Sequence, residues 1–497
     1  MINRRRFLQF TSLLSVPALG CSPPTGNYST DVAIIGSGPA GLSLASRLTQ
    51  AGIKVIVIES GPLDGYSEHA QQRNKVLDAG LGLPYPLGAA TKRMTGGTSS
   101  VWGGHCPRFR ADDLLCKSRF GYAEDWPITY KELENYYCQA ERFLSVFNGV
   151  NPCNPIRLTD NSFNLAQYLQ AQGFKETVAA SVTVNADGEY QPLRLKQSHL
   201  PNLLNNKNFT LLNDLTARNF EIDKTGKVKS VLCTDNEGID KRINCKALVI
   251  CAGAIQSSRF LMLVNNQHSG FDFGSDGGHL GANFMDHNAV QVTVNANGQP
   301  SGIKRQISQG PQSIQYGQAH IWQWYGRYRE QGVGAYMPLA VLENESTNTT
   351  SVPEKNIRFS ILCEQEPSLE NRFELSKTEQ DEFGDPLPML WYKLSDFDKR
   401  TYTHAAESLK NTLEMSKTLE SSQDMQVYFG RHHLMGTTRM ADNEKEGVVD
   451  KNLKVFGSKN IYVLGGSVFP SGGAANPTLT IVALAMRLSE HLIQSSI

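Results

Sequence analysis

Residues 31–59 read DVAIIGSGPAGLSLASRLTQAGIKVIVIE and show a strand, a glycine loop, a helix and a second strand in succession. The apolar runs at 31–35 and 54–58 are short and uninterrupted, which is typical of parallel strands buried on both faces. Between them, residues 42–51 have helical spacing, and Gly52 provides a stop. This segment predicts one βαβ unit and therefore an α/β fold.

The loop Gly36-Ser37-Gly38-Pro39-Ala40-Gly41 matches G-x-G-x-x-G directly after the first strand. Gly36 allows the tight turn, Gly38 lets a pyrophosphate approach the backbone, and Gly41 permits close packing of helix on strand. The helix N-terminus offers free N–H groups and a partial positive charge to phosphates. Glu59 ends the second strand, where an acid accepts hydrogen bonds from ribose hydroxyls. The loop predicts dinucleotide binding, and its geometry alone does not distinguish FAD from NAD.

The composition of the 497-residue chain excludes several classes of protein. Lys+Arg and Asp+Glu both number 48, so no bulk charge is present to bind nucleic acid. A hydrophobic content of 40% suffices for a sizeable core and excludes a mainly disordered chain. No run of about 18 apolar residues occurs, so no membrane-spanning helix is expected. The nine cysteines lack C-x-x-C spacing, so no metal site is expected, and most are interpreted as buried small hydrophobes.

The first 21 residues have the pattern of an export signal. Arg4, Arg5 and Arg6 precede a short apolar stretch, and no acid occurs before Asp31. The basic start followed by Phe-Leu resembles a twin-arginine (Tat) signal, which exports folded proteins. The segment ending at Cys21 resembles a bacterial lipobox, with an ordinary cleavage site or a frayed basic tail as alternatives. We therefore expect a periplasmic protein, or one that meets the membrane only through a lipid anchor, with residues 22–30 as a linker.

Four blocks of sequence resemble the glucose–methanol–choline (GMC) oxidoreductases, which are FAD enzymes that oxidise alcohols and sugars. They are residues 31–61, the loop MTGGTSSVWGG at 94–104, residues 251–258 (CAGAIQSS) with 280–287 downstream, and residues 431–478. The resemblance covers nearly all of residues 30–497. The segment from Asp125 to Glu141 is also similar to the branch that contains pyranose oxidase and the large subunits of sugar dehydrogenases.

The resemblance implies an FAD site assembled from several loops. Small residues in the second block let the backbone lie against a flat ring, although a mobile glycine loop is the alternative. Several relatives link a His covalently to the flavin where this chain has Val101, so non-covalent FAD is expected. For Ala252 and Gly253, tight packing is an equally good explanation. The implied FAD contacts beyond the first loop and Glu59 are Ser60, Gly97, Thr98, Ser99, Gly103, Ala217, Ala252, Gly253, Gly466 and Thr478.

The last block implies the catalytic residues. Residues 431–440 (RHHLMGTTRM) resemble the family's H-x-x-G-T segment, and counting back from Gly436 selects His433. The alternatives are His432 and that neither histidine is catalytic. Residues 465–478 match the segment that holds the second catalytic residue, His or Asn in the family and here Asn476. A neutral imidazole can accept a hydroxyl proton near neutral pH. The Asn amide can donate to the substrate oxygen as it becomes alkoxide-like.

The expected enzyme transfers a hydride from a sugar, polyol or other alcohol to FAD, with His433 as the base. A quinone, a small partner subunit or a cytochrome c is the expected electron acceptor, and an oxidase that uses oxygen is the main alternative. A flavin lyase, a nicotinamide-dependent dehydrogenase and a binding protein without activity are further alternatives. Two interpretations are open for a group of aromatic residues: their rings stack on the substrate at the wall of its binding site, or they pack in the core of a sheet. The residues are Trp322, Trp324, Tyr325 and Tyr328.

The chain is expected to leave the nucleotide-binding fold and return to it. The Rossmann-type FAD-binding domain would comprise residues 31–110, 206–290 and 429–497, with the catalytic pair in the last part. A discontinuous, β-sheet-based substrate domain would comprise residues 111–205 and 291–428.

Overall fold

The computed structural model describes residues 28–79, 87, 90–147, 153, 178–179, 181–183, 191–268, 270–295, 321–323, 329–343, 356–415, 426–428, 430 and 432–495. The export signal with its lipobox, and the side chains of the aromatic group at 322–328, lie outside these residues. The helices are α1 Pro39–Gln50, α2 Glu68–Gln72, α3 Cys116–Phe120, α4 Tyr130–Phe143, α5 Leu195–Ser198, α6 Leu200–Leu204, α7 Gly253–Gln267, α8 Asp396–Met415 and α9 Thr478–Gln494.

The strands of the described ranges fall into four sheets. They are β1 Tyr28–Ile35, β2 Val55–Ile58, β3 Leu77–Asp78, β4 Val146–Phe147, β5 Val178–Ala179, β6 Val182–Thr183, β7 Phe209–Leu212, β8 Leu215–Ile222, β9 Val228–Asp235, β10 Asp240–Ile250, β11 Asn288–Asn295, β12 Ile321–Gln323, β13 Tyr336–Glu343, β14 Asn356–Cys363, β15 Arg372–Gln380, β16 Pro386–Trp391, β17 Gln426–Tyr428 and β18 Ile461–Val463. Short 3₁₀ helices span Gly97–Ser100, Ala111–Leu114, Arg329–Gln331 and Gly466–Val468.

The largest sheet has the order β7-β2-β1-β10-β9-β8, and β18 also pairs with β10. Strand β1 is parallel to both β2 and β10, while β9 and β8 are antiparallel additions. The strands β1, β2 and β10 are buried along their apolar runs, as predicted for 31–35 and 54–58. The chain runs from β1 to β2 on one side of β1, and β10 lies on the other side. The strand order therefore reverses between β1 and β10, which makes their carboxyl ends a topological switch point. Open α/β sheets bind ligands at such points.

Strand β1 starts earlier than the hydrophobic pattern indicates. It begins at Tyr28, so Ser29 and Thr30, which the composition assigned to the linker, are strand residues. They continue the parallel pairing with β10, and the Thr30 hydroxyl donates to the carbonyl of Lys54 at 2.7 Å. The hydrogen-bonded ladder between β1 and β10 therefore extends beyond the apolar run, because the main chain forms the ladder and polar side chains do not prevent it.

A second region carries two further sheets of the described residues, and their strand pairs are antiparallel except for β16 and β3, which pair in parallel. Its six-stranded sheet has the order β17-β11-β14-β13-β12-β5, and a three-stranded sheet has the order β15-β16-β3. The hairpin β15–β16 packs on α7, so the second region contacts the nucleotide-binding region through this helix. The predicted fold class, an α/β nucleotide-binding fold with a discontinuous sheet-based region, is confirmed.

The cysteines mostly behave as small buried hydrophobes. Six described cysteines are free, and all six are buried. Cys138 and Cys153 form a disulfide beside Glu141. These three residues are of types that can bind a metal, but the two sulfurs are bonded to each other and Glu141 pairs with Arg108 at 2.7 Å.

Among the helices of the described ranges, none is long and apolar enough to cross a bilayer.

Candidate active site

A cavity opens at the carboxyl ends of β1 and β10. All the implied FAD-binding residues line it except Gly41, Ser99 and Gly103. Gly41 packs against the turn instead, since an added Cβ there would lie 2.0 Å from the carbonyl oxygen of Gly36. The Ser99 hydroxyl donates to the carbonyl of Gly96 at 2.6 Å. The lining residues are Gly36, Ser37, Gly38, Pro39, Ala40, Glu59, Ser60, Gly97, Thr98, Ala217, Ala252, Gly253, Gly466 and Thr478.

Three of the described helices begin at this cavity. The first residues of α1, α7 and α9 line it, and the first turns of all three contain no acidic residue. The free N–H groups and the partial positive charge at a helix N-terminus favour anions. The cavity therefore suits the pyrophosphate of a dinucleotide.

Gly36 and Gly38 of the glycine loop have different structural roles. Gly36 has φ +102°, and an added Cβ would lie 2.6 Å from the carbonyl oxygen of Cys251. Gly38 has φ −70°, and an added Cβ there would meet nothing within 4 Å. An added Cβ at Gly97 would lie 3.0 Å from the Cα of Gly38. Gly36 is thus required by the fold, whereas Gly38 keeps part of the cavity open.

Glu59 lies buried beside the glycine loop. Its Oε2 accepts from the Ser37 N–H at 3.0 Å and the Ser37 hydroxyl at 2.6 Å, and its Oε1 accepts from the Gly61 N–H at 2.8 Å. Burial raises the pKa of Glu59, opposed by these hydrogen bonds. A carboxylate oxygen can accept two hydrogen bonds, so Oε1 retains capacity for a ribose hydroxyl.

Arginines lie at another part of the cavity, and no sequence motif indicated them. Arg93 and Arg259 line the cavity, and Arg259 pairs with Asp381 at 2.7 Å. Arg73 pairs with Glu382, which is 309 residues away along the chain. Both acids belong to the turn of the β15–β16 hairpin, so these ion pairs hold the hairpin turn against the cavity.

His433 occupies the middle of a line of hydrogen bonds at the cavity wall. Its Nε2 lies 2.9 Å from Nδ2 of Asn476, and its Nδ1 lies 2.9 Å from Nδ1 of His287. Nε2 of His287 lies 3.0 Å from the carbonyl oxygen of Gly473. The structure thus brings the implied pair together and adds His287, a residue of the 280–287 block to which the sequence analysis attached no role.

The two adjacent histidines differ in their surroundings. The main-chain N–H groups of His432 and His433 both donate to the carboxylate of Asp286, at 3.1 and 2.8 Å. His432 has φ +65° and an exposed side chain, although it also lines the cavity. His433, not His432, is the histidine whose ring meets Asn476.

The burial of His287 predicts a pH dependence of stability. Burial lowers its pKa from 6.5 to about 4, so the unfolded chain binds more protons between these values. The contribution of neutral His287 to the free energy of unfolding is therefore fully present above pH 6.5. It is lost as the pH falls from 6.5 towards 4, which lowers the free energy of unfolding by up to about 3 kcal/mol. In calorimetry we expect the Tm of the native protein to fall more steeply over this range than that of His287→Asn. Parallel curves would contradict the neutral state of His287.

Comparison with known protein families assigns most of the chain. Residues 89–289 and 367–485 match the two GMC oxidoreductase segments, and residues 29–74 match an FAD binding domain. The fructose dehydrogenase large subunit of Gluconobacter japonicus is 23% identical over 94% of this chain and 98% of its own length. The 6‴-hydroxyparomomycin C oxidase of Streptomyces lividus is 26% identical over 95% of this chain and 93% of its own length.

A solved structure agrees in fold. The formate oxidase of Aspergillus oryzae RIB40 superposes with a TM-score of 0.67 at 16% identity, covering 95% of this chain and 99% of that one. The cofactor of this chain is FAD, and the cavity fits it: Gly38 leaves open space, three helix N-termini face it and Glu59 has acceptor capacity. The chain belongs to the GMC oxidoreductase family and is an FAD-dependent oxidoreductase that acts on CH–OH groups.

Proposed function

We propose that this enzyme is an exported dehydrogenase of a sugar or polyol, in which His433 is the base and Asn476 holds the substrate oxygen. The observation that carries this proposal is the 2.9 Å contact between His433 Nε2 and Asn476 Nδ2 beside the FAD cavity. A substrate hydroxyl that replaces this direct hydrogen bond can donate to the lone pair on Nε2 and accept from the Asn476 amide.

Bound FAD supplies the acceptor for the hydride that leaves the substrate carbon. His433 takes the hydroxyl proton at Nε2, and a positioned base of this kind contributes about 10²–10⁴ in rate. Asn476 is buried, and its Nδ2 carries two hydrogens, so it can donate to the oxygen while charge develops there. Its Oδ1 is buried and has no hydrogen-bond partner among the described residues.

Two kinds of observation support the substrate class and the acceptor. The compared relatives include a fructose dehydrogenase large subunit and a 6‴-hydroxyparomomycin C oxidase, so relatives of both acceptor types exist. The export-type signal and the sequence resemblance to sugar dehydrogenase large subunits favour a quinone, a small subunit or a cytochrome c as the acceptor.

The acceptor is tested by reoxidation. The enzyme reduced by substrate without oxygen should regain its colour slowly in air and rapidly with a soluble quinone. Fast return of the colour in air, with stoichiometric formation of hydrogen peroxide, would show an oxidase instead.

Export is tested separately. The protein is expressed with and without its first 21 residues, and cell fractionation shows in which compartment each form is found.

Val101 predicts that FAD is held without a covalent bond. Its side chain is about half exposed and carries no nucleophile, so it cannot form the histidyl link of some relatives. Acid precipitation should leave all the yellow colour in the supernatant, and the apoprotein should recover its absorbance when FAD is added back. A yellow pellet that resists washing in denaturant would contradict this prediction.

A further inference from the structure

His287 is buried between the ring of His433 and the main chain of Gly473, and it does not line the FAD cavity. Its two nitrogens are both engaged, Nδ1 with His433 at 2.9 Å and Nε2 with the Gly473 carbonyl at 3.0 Å. A hydrogen bond between two imidazole nitrogens needs one proton, so one of the two Nδ1 atoms donates and the other accepts.

The carbonyl group decides which nitrogen donates. A carbonyl oxygen can only accept, so Nε2 of His287 carries a proton. Burial keeps this imidazole neutral, because it lowers the pKa of His287 to about 4. A neutral imidazole has one N–H, so Nδ1 of His287 is an acceptor, and the proton between the rings belongs to Nδ1 of His433. The lone pair of His433 then lies on Nε2, the atom to which Asn476 donates.

We propose that His287 is a positioning residue that holds His433 in the tautomer with its lone pair on Nε2. This inference rests on the proposed function, in which Nε2 takes the substrate proton. When Nε2 becomes protonated, the new imidazolium still donates through Nδ1 to neutral His287. No second proton moves, because the proton on Nε2 of His287 faces a carbonyl oxygen that does not take it.

A buried ionic cluster fixes the carbonyl that orients His287. The Gly473 N–H donates to Oε1 of Glu364 at 3.2 Å, and Oε2 of Glu364 pairs with Arg329 at 2.9 Å. Arg329 also pairs with Asp113 at 2.7 Å. Gly473 has φ +54°, and an added Cβ would lie 2.9 Å from Cγ of Asp113, so the backbone is packed on this cluster. Asp113 is a charged group that acts on the ring of His287, and Asp286 accepts the main-chain N–H of His433 at 2.8 Å.

The test compares His287→Asn with His287→Leu in the FAD-loaded enzyme. The two side chains have the same branched shape, but only Asn offers an acceptor oxygen near the position of Nδ1. At saturating substrate, Leu should lower the rate of flavin reduction by about 10²-fold, whereas Asn should stay within about tenfold of the native rate. Substrate affinity, FAD content and Tm should be alike in the two variants, since both lose the same ring.

A second readout does not depend on turnover. Histidine-selective ¹⁵N labelling reports which ring nitrogen is protonated, and the spectrum of a His433→Gln variant assigns the signals of His433. We expect an unprotonated Nε2 in the native protein and in His287→Asn, and a mixture of tautomers in His287→Leu. A protonated Nε2 in the native protein at neutral pH would overturn the inference.

The outcomes separate this inference from the proposed function. Equal reduction rates in His287→Asn and His287→Leu, whether fast or slow, would show that His287 only packs, and would overturn the inference. If removal of His433 leaves reduction intact, the proposed function itself fails. If removal of His433 stops reduction while His287→Leu reduces normally, the base assignment stands and only the positioning role is lost.

Discussion

His433→Ala should remain yellow and lose its ability to be reduced by substrate, with the rate of flavin reduction lowered by about 10²–10⁴-fold. The glycine loop, the three helix N-termini and Glu59 are untouched, so FAD should bind as before. His433 is half-buried and contacts Asn476 and His287, so its loss removes the lone pair at the substrate oxygen. Anaerobic stopped-flow absorbance measures the rate, and the ratio of FAD to protein confirms loading.

The neighbouring histidine provides a matched control. His432 also lines the cavity and shares the Asp286 carboxylate, but its side chain is exposed. His432→Ala should lose less than about tenfold in the same assay, because it supplies no proton acceptor at Asn476. The reverse result, with His432→Ala inactive and His433→Ala active, would transfer the base assignment to His432.

Gly38→Ala should give a folded protein that binds FAD weakly. An Ala fits the φ of −70° and meets no protein atom within 4 Å, so the apoprotein should keep its Tm. The added methyl group occupies space at the cavity, and an overpacking cost of roughly 1–3 kcal/mol corresponds to about 5- to 150-fold weaker binding. Titration of apoprotein with FAD, followed by flavin fluorescence, measures the change.

Gly36→Ala is the informative contrast to Gly38→Ala. Its Cβ would lie 2.6 Å from the Cys251 carbonyl, and φ +102° is strained for alanine, so this variant should lose stability as well as FAD. A Gly38→Ala protein that binds FAD like the native one would contradict the placement of the cofactor against this loop.

The sequence predicted those features that depend on neighbouring residues. The run at 31–35, the glycine loop and the run at 54–58 follow one another, so a local pattern contains both the βαβ unit and its phosphate-binding turn. The starts of strands were less well predicted, as at Tyr28, because main-chain pairing with β10 does not need apolar side chains.

The features that were missed join distant parts of the chain. His287 meets Gly473 across 186 residues, and Arg73 meets Glu382 across 309. Neither pair has a periodic or motif signal, because the two residues of each pair lie in segments that are far apart along the chain. The pairing of His433 with Asn476 followed only from the resemblance to a family, since no local pattern links residues 43 positions apart.

Hydride transfer from a sugar or polyol to FAD is tested by anaerobic titration of the purified FAD-loaded enzyme with a panel of sugars, polyols and simple alcohols. We expect at least one sugar or polyol to bleach the flavin absorbance at about 450 nm with one equivalent of substrate per flavin, because a hydride moves from the CH–OH carbon to FAD. Retention of the oxidised spectrum with every member of the panel would contradict the proposed sugar or polyol dehydrogenase.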